Sequence, residues 1–439
     1  MIAAVVDALD QRTTVVIPTR NRADLASAAI SSVLDQGQAS VRVVVSDNST
    51  EEKQSSRLKS FCVGLDQDRV IYIRPHAPMA MSAHWEWALG MAMGASADSH
   101  FTYLSDRMIF KQGVMRDLIQ IARGYPDRVI TYNDDMLDDS TVPVQLYTRD
   151  WTGKVFEIDS AHLLHLSSRA FFPSCIPRML NSLVPRILLD EMRTRFGNVF
   201  ASISPDFYFA YRCLFLLDSI FYYDRPALLQ YAITRSNGMS YARGLRSIDN
   251  ADFIAQLAGK PMNFATPIPE LQSVVNAVMN EYCVVKTETG SPKFPDVDRR
   301  SYLGEIGLSL RHVRDRNLAS KMRLLLRRNG WTEIDGASWY VSRLAFLIRR
   351  QPSWVLSRLA QRVGAKVLAG LAARIGVKVD ARWILQFSSA PLAIQYANES
   401  PSKRTSSLGY LRRCKLTEPP GHIREVSLSN PVGTNAEAL

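Results

Sequence analysis

The feature that most constrains the fold is an alternation of short β-prone runs with helical patterns along the first third of the chain. Runs rich in Val, Ile, Thr, Tyr and Phe predict strands at residues 13–17, 41–45, 70–73, 101–104 and 128–132. Apolar residues at helical spacing separate several of these runs, at residues 24–33, 82–93 and 112–122. Strands alternating with helices are typical of βαβ units. The sequence therefore predicts an α/β fold with a mainly parallel sheet covered by helices on both faces.

Polar residues follow three of the predicted strands directly. The first is expected to stop at Pro18, because proline cannot continue a central strand. The polar residues are Thr19 and Asn21, then Asp47 and Ser49, then Asp106 and Arg107. Since the carboxyl ends of parallel strands lie at one edge, these side chains are expected to surround one crevice, where open α/β sheets bind ligands. Two carboxylates and a cation in such a place suit a nucleotide and its diphosphate. GxGxxG and GxxxxGK[ST] are both absent, which disfavours dinucleotide and P-loop sites.

Size and composition indicate a folded protein of several units. With 439 residues, 46% of them hydrophobic, the chain is long enough for two or three cores. Its five cysteines are scattered and form no CxxC pattern, as expected of thiols in a reducing compartment. The first twelve residues contain two aspartates and no basic leader, and no uncharged run reaches the ~18 residues that span a membrane. We therefore expect a cytoplasmic protein.

The second half differs in pattern and charge. Residues 1–245 are predicted to form the α/β domain, residues 246–400 a mostly helical region, and residues 401–439 a poorly ordered tail. Residues 341–390 carry nine Lys or Arg against one acid, and residues 353–375 predict a basic amphipathic helix. Such a helix suits peripheral contact with an anionic membrane surface at the inner face of the cell membrane. A solvated face of a helical bundle is the open alternative. Nucleic acid is not expected as a partner, since no binding motif is present.

Four short motifs resemble one enzyme family, the inverting family 2 glycosyltransferases with the GT-A fold. They are VVIPTRNR at residues 15–22, VVVSDNS at 43–49, YLSD at 103–106 and SPDFY at 204–208. The resemblance covers about half of the chain, and it depends on the order and spacing of the motifs more than on any one of them. It implies transfer of a sugar from a nucleotide-diphosphate donor, with a UDP-sugar favoured, to a saccharide or lipid-linked saccharide. The setting it implies is synthesis of a bacterial surface polysaccharide.

The resemblance also implies roles for individual residues. Donor binding would involve Thr19, Asn21, Asp47, Ser49, Asp106 and Arg107. Asp47 would accept from a ring N–H if the base is uracil, and Asp106 would stand at the family's Asp-x-Asp position. Asp206, just before a predicted helix, would be the general base that deprotonates the acceptor hydroxyl.

At the Asp-x-Asp position this chain departs from the family. Asp106 is a single carboxylate with Arg107 immediately after it, in the order Ser105-Asp106-Arg107. One carboxylate suffices for Mg²⁺ or Mn²⁺ when phosphate oxygens complete the shell, so Asp106 is the expected metal ligand. Alternatively, Arg107 takes over part of the ion's role by gripping the phosphates.

Less specific interpretations remain open. Asp47 and Asp106 also suit plain turns at strand ends, and Asp206 suits a helix cap. Asp134, Asp135 and their acidic neighbours after residue 132 predict a solvated loop rather than a second metal site. A non-catalytic relative that binds a nucleotide sugar or glycan is the alternative function.

Overall fold

The computed structural model describes residues 10–148, 151–236, 264–310, 315–332, 384–399 and 422–426, with single positions between 313 and 339. The strands are β1 (Asp10–Thr19), β2 (Val41–Asp47), β3 (Val70–Ile73), β4 (Asp98–Tyr103), β5 (Met108–Phe110), β6 (Ile130–Asp138), β7 (Val144–Tyr147), β8 (Val155–Asp159), β9 (Ser182–Pro185), β10 (Ser219–Gln230), β11 (Ile384–Phe387) and β12 (Ile423–Val426). The α-helices are α1 (Ala23–Leu34), α2 (Glu52–Val63), α3 (Met81–Ala95), α4 (Val114–Gly124), α5 (Ser160–Ser168), α6 (Arg186–Phe196), α7 (Pro205–Leu216), α8 (Val274–Thr289), α9 (Arg299–Ser309), α10 (Arg316–Arg328) and α11 (Ala390–Glu399). Two short 3-10 helices are η1 (Met179–Asn181) and η2 (Ile233–Arg235).

The strands form one sheet in the order β12-β8-β10-β6-β9-β4-β1-β2-β3. The central pairs β4-β1, β1-β2 and β2-β3 are parallel, and so is β6-β10. Strands β8, β9 and β12 are antiparallel to their neighbours, and β5, β7 and β11 pair off the main path. The predicted fold class is therefore confirmed: a mostly parallel central sheet flanked by helices.

The central strands are buried on both faces, which explains their continuous apolar runs. Val15 and Ile17 of β1 pack with helices α1, α2 and α4 on one face. Val16, which points the opposite way, packs with α3 and α6 on the other. The result is a three-layer α/β/α arrangement that fixes the carboxyl ends of β1, β2 and β4 at one edge.

Pro18 does not end β1, contrary to the sequence prediction. The strand continues to Thr19, and Pro18 lies opposite Ser46 of β2 in the register. The carbonyl of Val16 accepts a hydrogen bond from the N–H of Leu104, just after β4. Backbone groups alternate between the two sides of a strand, so the backbone of Pro18, two residues further on, also faces β4. The β1-β4 pairing ends at Val16 and Tyr103, and the missing N–H of Pro18 therefore costs no ladder hydrogen bond.

The acidic stretch after residue 132 is also different from its prediction. It continues strand β6 to Asp138 instead of forming a solvated loop. Asp135 is buried and its Oδ2 lies 2.7 Å from Nζ of Lys111. Lys111, 24 residues earlier in the chain, thus compensates the buried charge of Asp135.

The described part of the region after residue 263 is mostly helical, as predicted. Helices α8, α9 and α10 share one apolar core with α5 and α7 of the first part. None of the helices in the described ranges is both long and apolar enough to span a bilayer. The predicted basic helix at residues 353–375 lies outside the described residues.

Two late strands return to the sheet. β11 pairs with β7, and α11 packs beside it against β6 and β7. β12 pairs with β8 and lies inside residues 401–439, so the prediction of a poorly ordered tail is wrong for residues 423–426. Its two charged residues are matched across the strand pair, Arg424 with Glu157 and Glu425 with Lys154. The partners are more than 260 residues away, which hides the pairing from sequence reasoning.

Candidate functional site

Three strand ends meet at one edge of the sheet. Thr19, the last residue of β1, is paired in register with Asp47, the last residue of β2. The Thr19 hydroxyl donates a 2.9 Å hydrogen bond to Oδ2 of Asp106, which follows β4. The structure thus brings Thr19, Asp47 and Asp106 together, while their role in donor binding stays a prediction.

The carboxylate of Asp106 is buried and has partners on both oxygens. Oδ2 accepts from Thr19, and Oδ1 lies 3.3 Å from Nη1 of Arg22, whose side chain is 11% exposed. Opposite charges attract more strongly here than in water, because little solvent screens them. Sequence reasoning missed Arg22 as a site residue, although Arg22 is the last residue of the VVIPTRNR motif.

The backbone of Arg107 connects this site to Tyr231, the residue after β10. Its N–H donates to Oγ of Ser105 at 3.4 Å, and its carbonyl accepts from the N–H of Tyr231 at 3.0 Å. These contacts fix the turn after Asp106. The phosphate-binding role of the Arg107 side chain stays a prediction.

Asp47 combines a turn contact with a contact from β3. Its Oδ1 accepts the N–H of Ser49 at 2.9 Å. This is an Asx turn, the contact expected of an aspartate in a plain turn at a strand end. Its Oδ2 accepts the hydroxyl of Tyr72 at 2.7 Å. Desolvation by burial raises the pKa of Tyr72, and Asp47 favours the protonated phenol further. Tyr72 therefore acts as a hydrogen-bond donor that orients Asp47, a role the sequence analysis did not assign.

Asn21 ties the loops after β1 and β2 together. Its backbone has φ 56°, a left-handed conformation that asparagine tolerates better than most residues. Its N–H donates to Oγ of Ser49 at 2.8 Å, and its Oδ1 accepts the N–H groups of Thr50 and Glu51. The predicted donor-binding residues Asn21 and Ser49 thus contact each other and shape the edge.

A pocket of about 540 Å³ opens beside these loops. Its lining is Asp47, Asn48, Ser49, Thr50, Arg74, Pro75, His76 and Pro78. The volume falls within the roughly 300–1,000 Å³ of small-molecule sites. Arg74 donates to the carbonyl of Ser49 at 3.3 Å and pairs with Glu52 at 3.1 Å, so a cation stands at the wall of the pocket.

His84 of α3 contacts the end of β2. Its Nε2 is 2.7 Å from Oγ of Ser46, the residue before Asp47. Desolvation by burial lowers the pKa of His84 to about 4, although Asp47 opposes the shift. The ring is therefore neutral at physiological pH and supports the strand end without adding charge.

Asp206 belongs to a second group of polar residues at the start of helix α7. The helix begins at Pro205, two residues earlier than predicted, and Ser204 is its N-cap residue. Desolvation by burial raises the pKa of Asp206, while Arg178 and the N–H groups of Phe207 and Asp206 oppose the rise. A carboxylate whose pKa is raised toward neutrality is a better general base than an ordinary one. Arg178 was not predicted as a neighbour.

Strand topology relates Asp206 to the edge where Asp106 lies. β9 is antiparallel to β4, with His100 opposite Pro185 and Phe101 opposite Val184. The amino end of β9, and η1 just before it, therefore adjoin the carboxyl end of β4. Both β4 and α7 contact η1. Helix α7 is thus linked through η1 to the edge from which Asp106 follows. No described contact joins Asp206 to Asp106 or Asp47.

Arg235 of η2 adds a further cation near the first loop. It pairs with Asp24 at 3.2 Å, and its Nη2 donates to the carbonyl of Asn21 at 3.3 Å. Arg235 begins a polar segment of the sequence, residues 235–240. Residues 237–263 lie outside the described part, so only its first two residues are placed.

The metal ligand expected from the sequence is Asp106. Both carboxylate oxygens of Asp106 already have partners, and one of these is a cation that would repel Mg²⁺ or Mn²⁺. Within the described ranges, no group of three or more His, Cys, Asp or Glu side chains is arranged to hold an ion. A metal role for Asp106, with phosphate oxygens completing the shell, therefore stays a prediction.

Comparisons with known proteins yield structural similarity at low sequence identity. No family model matches the chain, and no curated protein matches it. A crystal structure of residues 1–349 of S. aureus TarS in complex with UDP-GlcNAc is similar with a TM-score of 0.41 and 15% identity, over 78% of this chain and 92% of that one. A longer structure of S. aureus TarS gives 0.36 and 13%, over 75% and 54%. Similarity at this level does not assign an activity.

Proposed function

We propose that this chain is an inverting glycosyltransferase of the GT-A, family 2 type. It moves a sugar from a nucleotide-diphosphate donor, with UDP as the favoured nucleotide, to a saccharide or lipid-linked saccharide acceptor. The proposed setting is the synthesis of a bacterial surface polysaccharide. The four motifs of the sequence resemblance support the family, and the contacts among residues of the first three support the site.

The observation that carries the proposal is the convergence of Thr19, Asp47 and Asp106, of which Asp47 lines the 540 Å³ pocket. The pocket has a carboxylate, Asp47, and a guanidinium, Arg74, in its wall. In the proposed complex Asp47 accepts an N–H of the base, and the diphosphate extends toward Arg22 and Asp106. The sugar then lies toward the first turn of α7, where Asp206 lies.

The chemistry is a single displacement. Asp206 takes the proton of the acceptor hydroxyl, and the hydroxyl oxygen forms a bond to the anomeric carbon. The bond from that carbon to the diphosphate oxygen breaks on the opposite face, which inverts the centre. The leaving diphosphate carries the electron pair away, and positive side chains near it stabilise that charge.

Arginine side chains supply that positive charge in the proposed mechanism. Arg22 lies against Asp106, and Arg235 reaches the carbonyl of Asn21 in the same loop. Guanidinium groups bind phosphate through paired N–H donors. We therefore expect UDP to raise the melting temperature by the same amount in Mn²⁺ and in EDTA. A UDP effect that depends on Mn²⁺ would restore the metal to the mechanism.

A non-catalytic nucleotide-sugar-binding protein is the second candidate. The engagement of both Asp106 oxygens by Thr19 and Arg22 favours it, because a single paired carboxylate departs from the Asp-x-Asp pattern. Both candidates bind UDP. They differ in whether the bound donor reacts.

The test is release of UDP from UDP-GlcNAc and UDP-glucose by wild type and Asp206→Asn. We expect the substitution to reduce turnover by roughly 100-fold or more, as for loss of a general base. Asp218→Asn is the matched control, since Asp218 follows the other end of α7 and is fully exposed. UDP should stabilise both variants as it does wild type. Wild-type turnover that survives Asp206→Asn would refute the proposed base, and UDP binding without turnover of any donor would favour the second candidate.

A further inference from the structure

Glu281 of helix α8 is a buried carboxyl group in direct contact with the segment that carries Asp206. It has no solvent-exposed surface. Its Oε1 accepts the backbone N–H of Ser204 at 2.9 Å. The carbonyl of Ser204 in turn accepts the N–H groups of Phe207 and Tyr208 at 3.0 and 2.9 Å. Glu281 therefore fixes the residue from which the first turn of α7 starts, two positions before Asp206.

The adjacent residue of α8 holds the same segment from its other end. Nδ2 of Asn280 lies 3.4 Å from Oγ of Ser202, and Oδ1 of Asn280 accepts the N–H of Ala265 at 2.8 Å. Ser202 has φ 63°, a left-handed conformation that is costly for serine. Two consecutive side chains of one helix thus hold a strained turn, residues 202–204, in place.

The electrostatic surroundings of Glu281 are consistent with a supporting role. Desolvation by burial raises the pKa of Glu281 to about 8, although Ser202, Ser204 and Asn280 oppose the rise, and the charge of Asp206 adds to it. At neutral pH Glu281 is therefore mostly protonated. Asp206 can then be ionised without a second negative charge beside it, which suits a base that must accept a proton.

We propose that Glu281 is the positioning residue for Asp206, through which the helical region after residue 263 sets the geometry of the catalytic carboxylate. The inference deepens the proposed function and rests on it for the catalytic role of Asp206. Its structural part, that Glu281 holds residues 202–206, stands on the contacts above and is measured independently of turnover.

The experiment compares Glu281→Ala, Glu281→Gln and the control Glu288→Ala in the full chain. Glu288 lies two turns along the same helix and also contacts α7, through Arg212 and Tyr208. Its loss weakens the same interface away from Asp206. Glutamine at 281 keeps an oxygen that can accept the Ser204 N–H, so it is the conservative variant.

Hydrogen–deuterium exchange of a peptide covering residues 202–207 measures how firmly the backbone of this segment is held. We expect at least tenfold faster exchange in Glu281→Ala, and wild-type exchange in Glu281→Gln and in Glu288→Ala. In UDP release, we expect Glu281→Ala to lower kcat at least tenfold with the donor KM within threefold of wild type. Glu281→Gln should restore kcat to within threefold, and Glu288→Ala should leave it unchanged.

Each outcome decides one of the two claims. Unchanged exchange in Glu281→Ala, or equal acceleration in Glu288→Ala, overturns the positioning role. So does a kcat that is unaffected by Glu281→Ala in an enzyme that needs Asp206. If wild type turns over no donor, the proposed function fails, while the exchange comparison still decides whether Glu281 holds the segment. If Glu281→Ala does not fold, a Glu281→Gln variant with rapid exchange or a tenfold loss of kcat refutes the inference.

Discussion

At the residue scale, buried carboxyl groups with specified partners shape the candidate site and its support. Asp106 is held by Thr19 and Arg22, Asp47 by Ser49 and Tyr72, and Glu281 by Ser204. Burial makes each pairing strong, and it makes the loss of one partner costly. The contribution of such residues to stability and to ligand binding can therefore be separated by removing one partner at a time.

Arg22→Ala tests the pairing with Asp106. The substitution leaves a buried carboxylate without its cation, and we expect it to lower the free energy of unfolding by about 3–5 kcal/mol. Asp106→Asn in the same chain removes the charge and should recover most of that loss. Urea unfolding of wild type, both single variants and the double variant measures the cycle. Additive effects in the double variant would mean that the two side chains do not interact.

Glu281→Gln tests the state of the carboxyl group through pH. The pKa of Glu281 is about 8 in the folded protein and 4.5 in an ordinary environment. Between these values the folded state binds a proton that the unfolded state has lost, so wild-type stability falls as pH rises. The slope is at most about 1.4 kcal/mol per pH unit. Glutamine has no such proton, and the variant should gain stability relative to wild type from pH 5 to pH 8. Urea unfolding at several pH values measures both free energies of unfolding. Equal changes with pH in wild type and in Glu281→Gln would contradict the prediction.

At the element scale, the site depends on how strand ends and helix starts are combined. β1, β2 and β4 present their carboxyl ends side by side, and Asn21 joins the first two loops. Helix α7, much later in the chain, carries Asp206. Helix α8 packs on α7, where Glu281 contacts Ser204 and Glu288 contacts Arg212. The helical region after residue 263 is thus structurally coupled to the proposed catalytic residue.

β12 is an element whose contribution can be isolated. It covers the edge of β8, with Ile423 partly buried against the apolar core of the helical region. A chain ending at residue 421 would expose the N–H and C=O groups of β8, so we expect a lower melting temperature and more aggregation. A chain ending at residue 427 keeps the strand and is the matched control. Equal melting of the two chains would show that β12 adds nothing to the sheet.

At the scale of the whole molecule, the two predicted parts share their cores. Helices α8 to α10 pack with α5 and α7, while β11 and β12 extend the sheet of the first part. The boundary at residue 245 remains a prediction, but the described elements on both sides of it are in contact. Peripheral membrane contact through residues 353–375 also remains a prediction, since that segment lies outside the described residues.

The sequence by itself determined the parallel core and the positions of Thr19, Asp47 and Asp106, because a buried strand shows its apolar run and its polar end locally. Tertiary structure alone decided which partners those residues have. Arg22 meets Asp106 across 84 residues and Glu281 meets Ser204 across 77, and packing brings them together without any local signal. For the same reason Pro18 stays within β1 and β12 pairs with β8: each depends on what lies opposite in the sheet, which spacing along the chain does not encode.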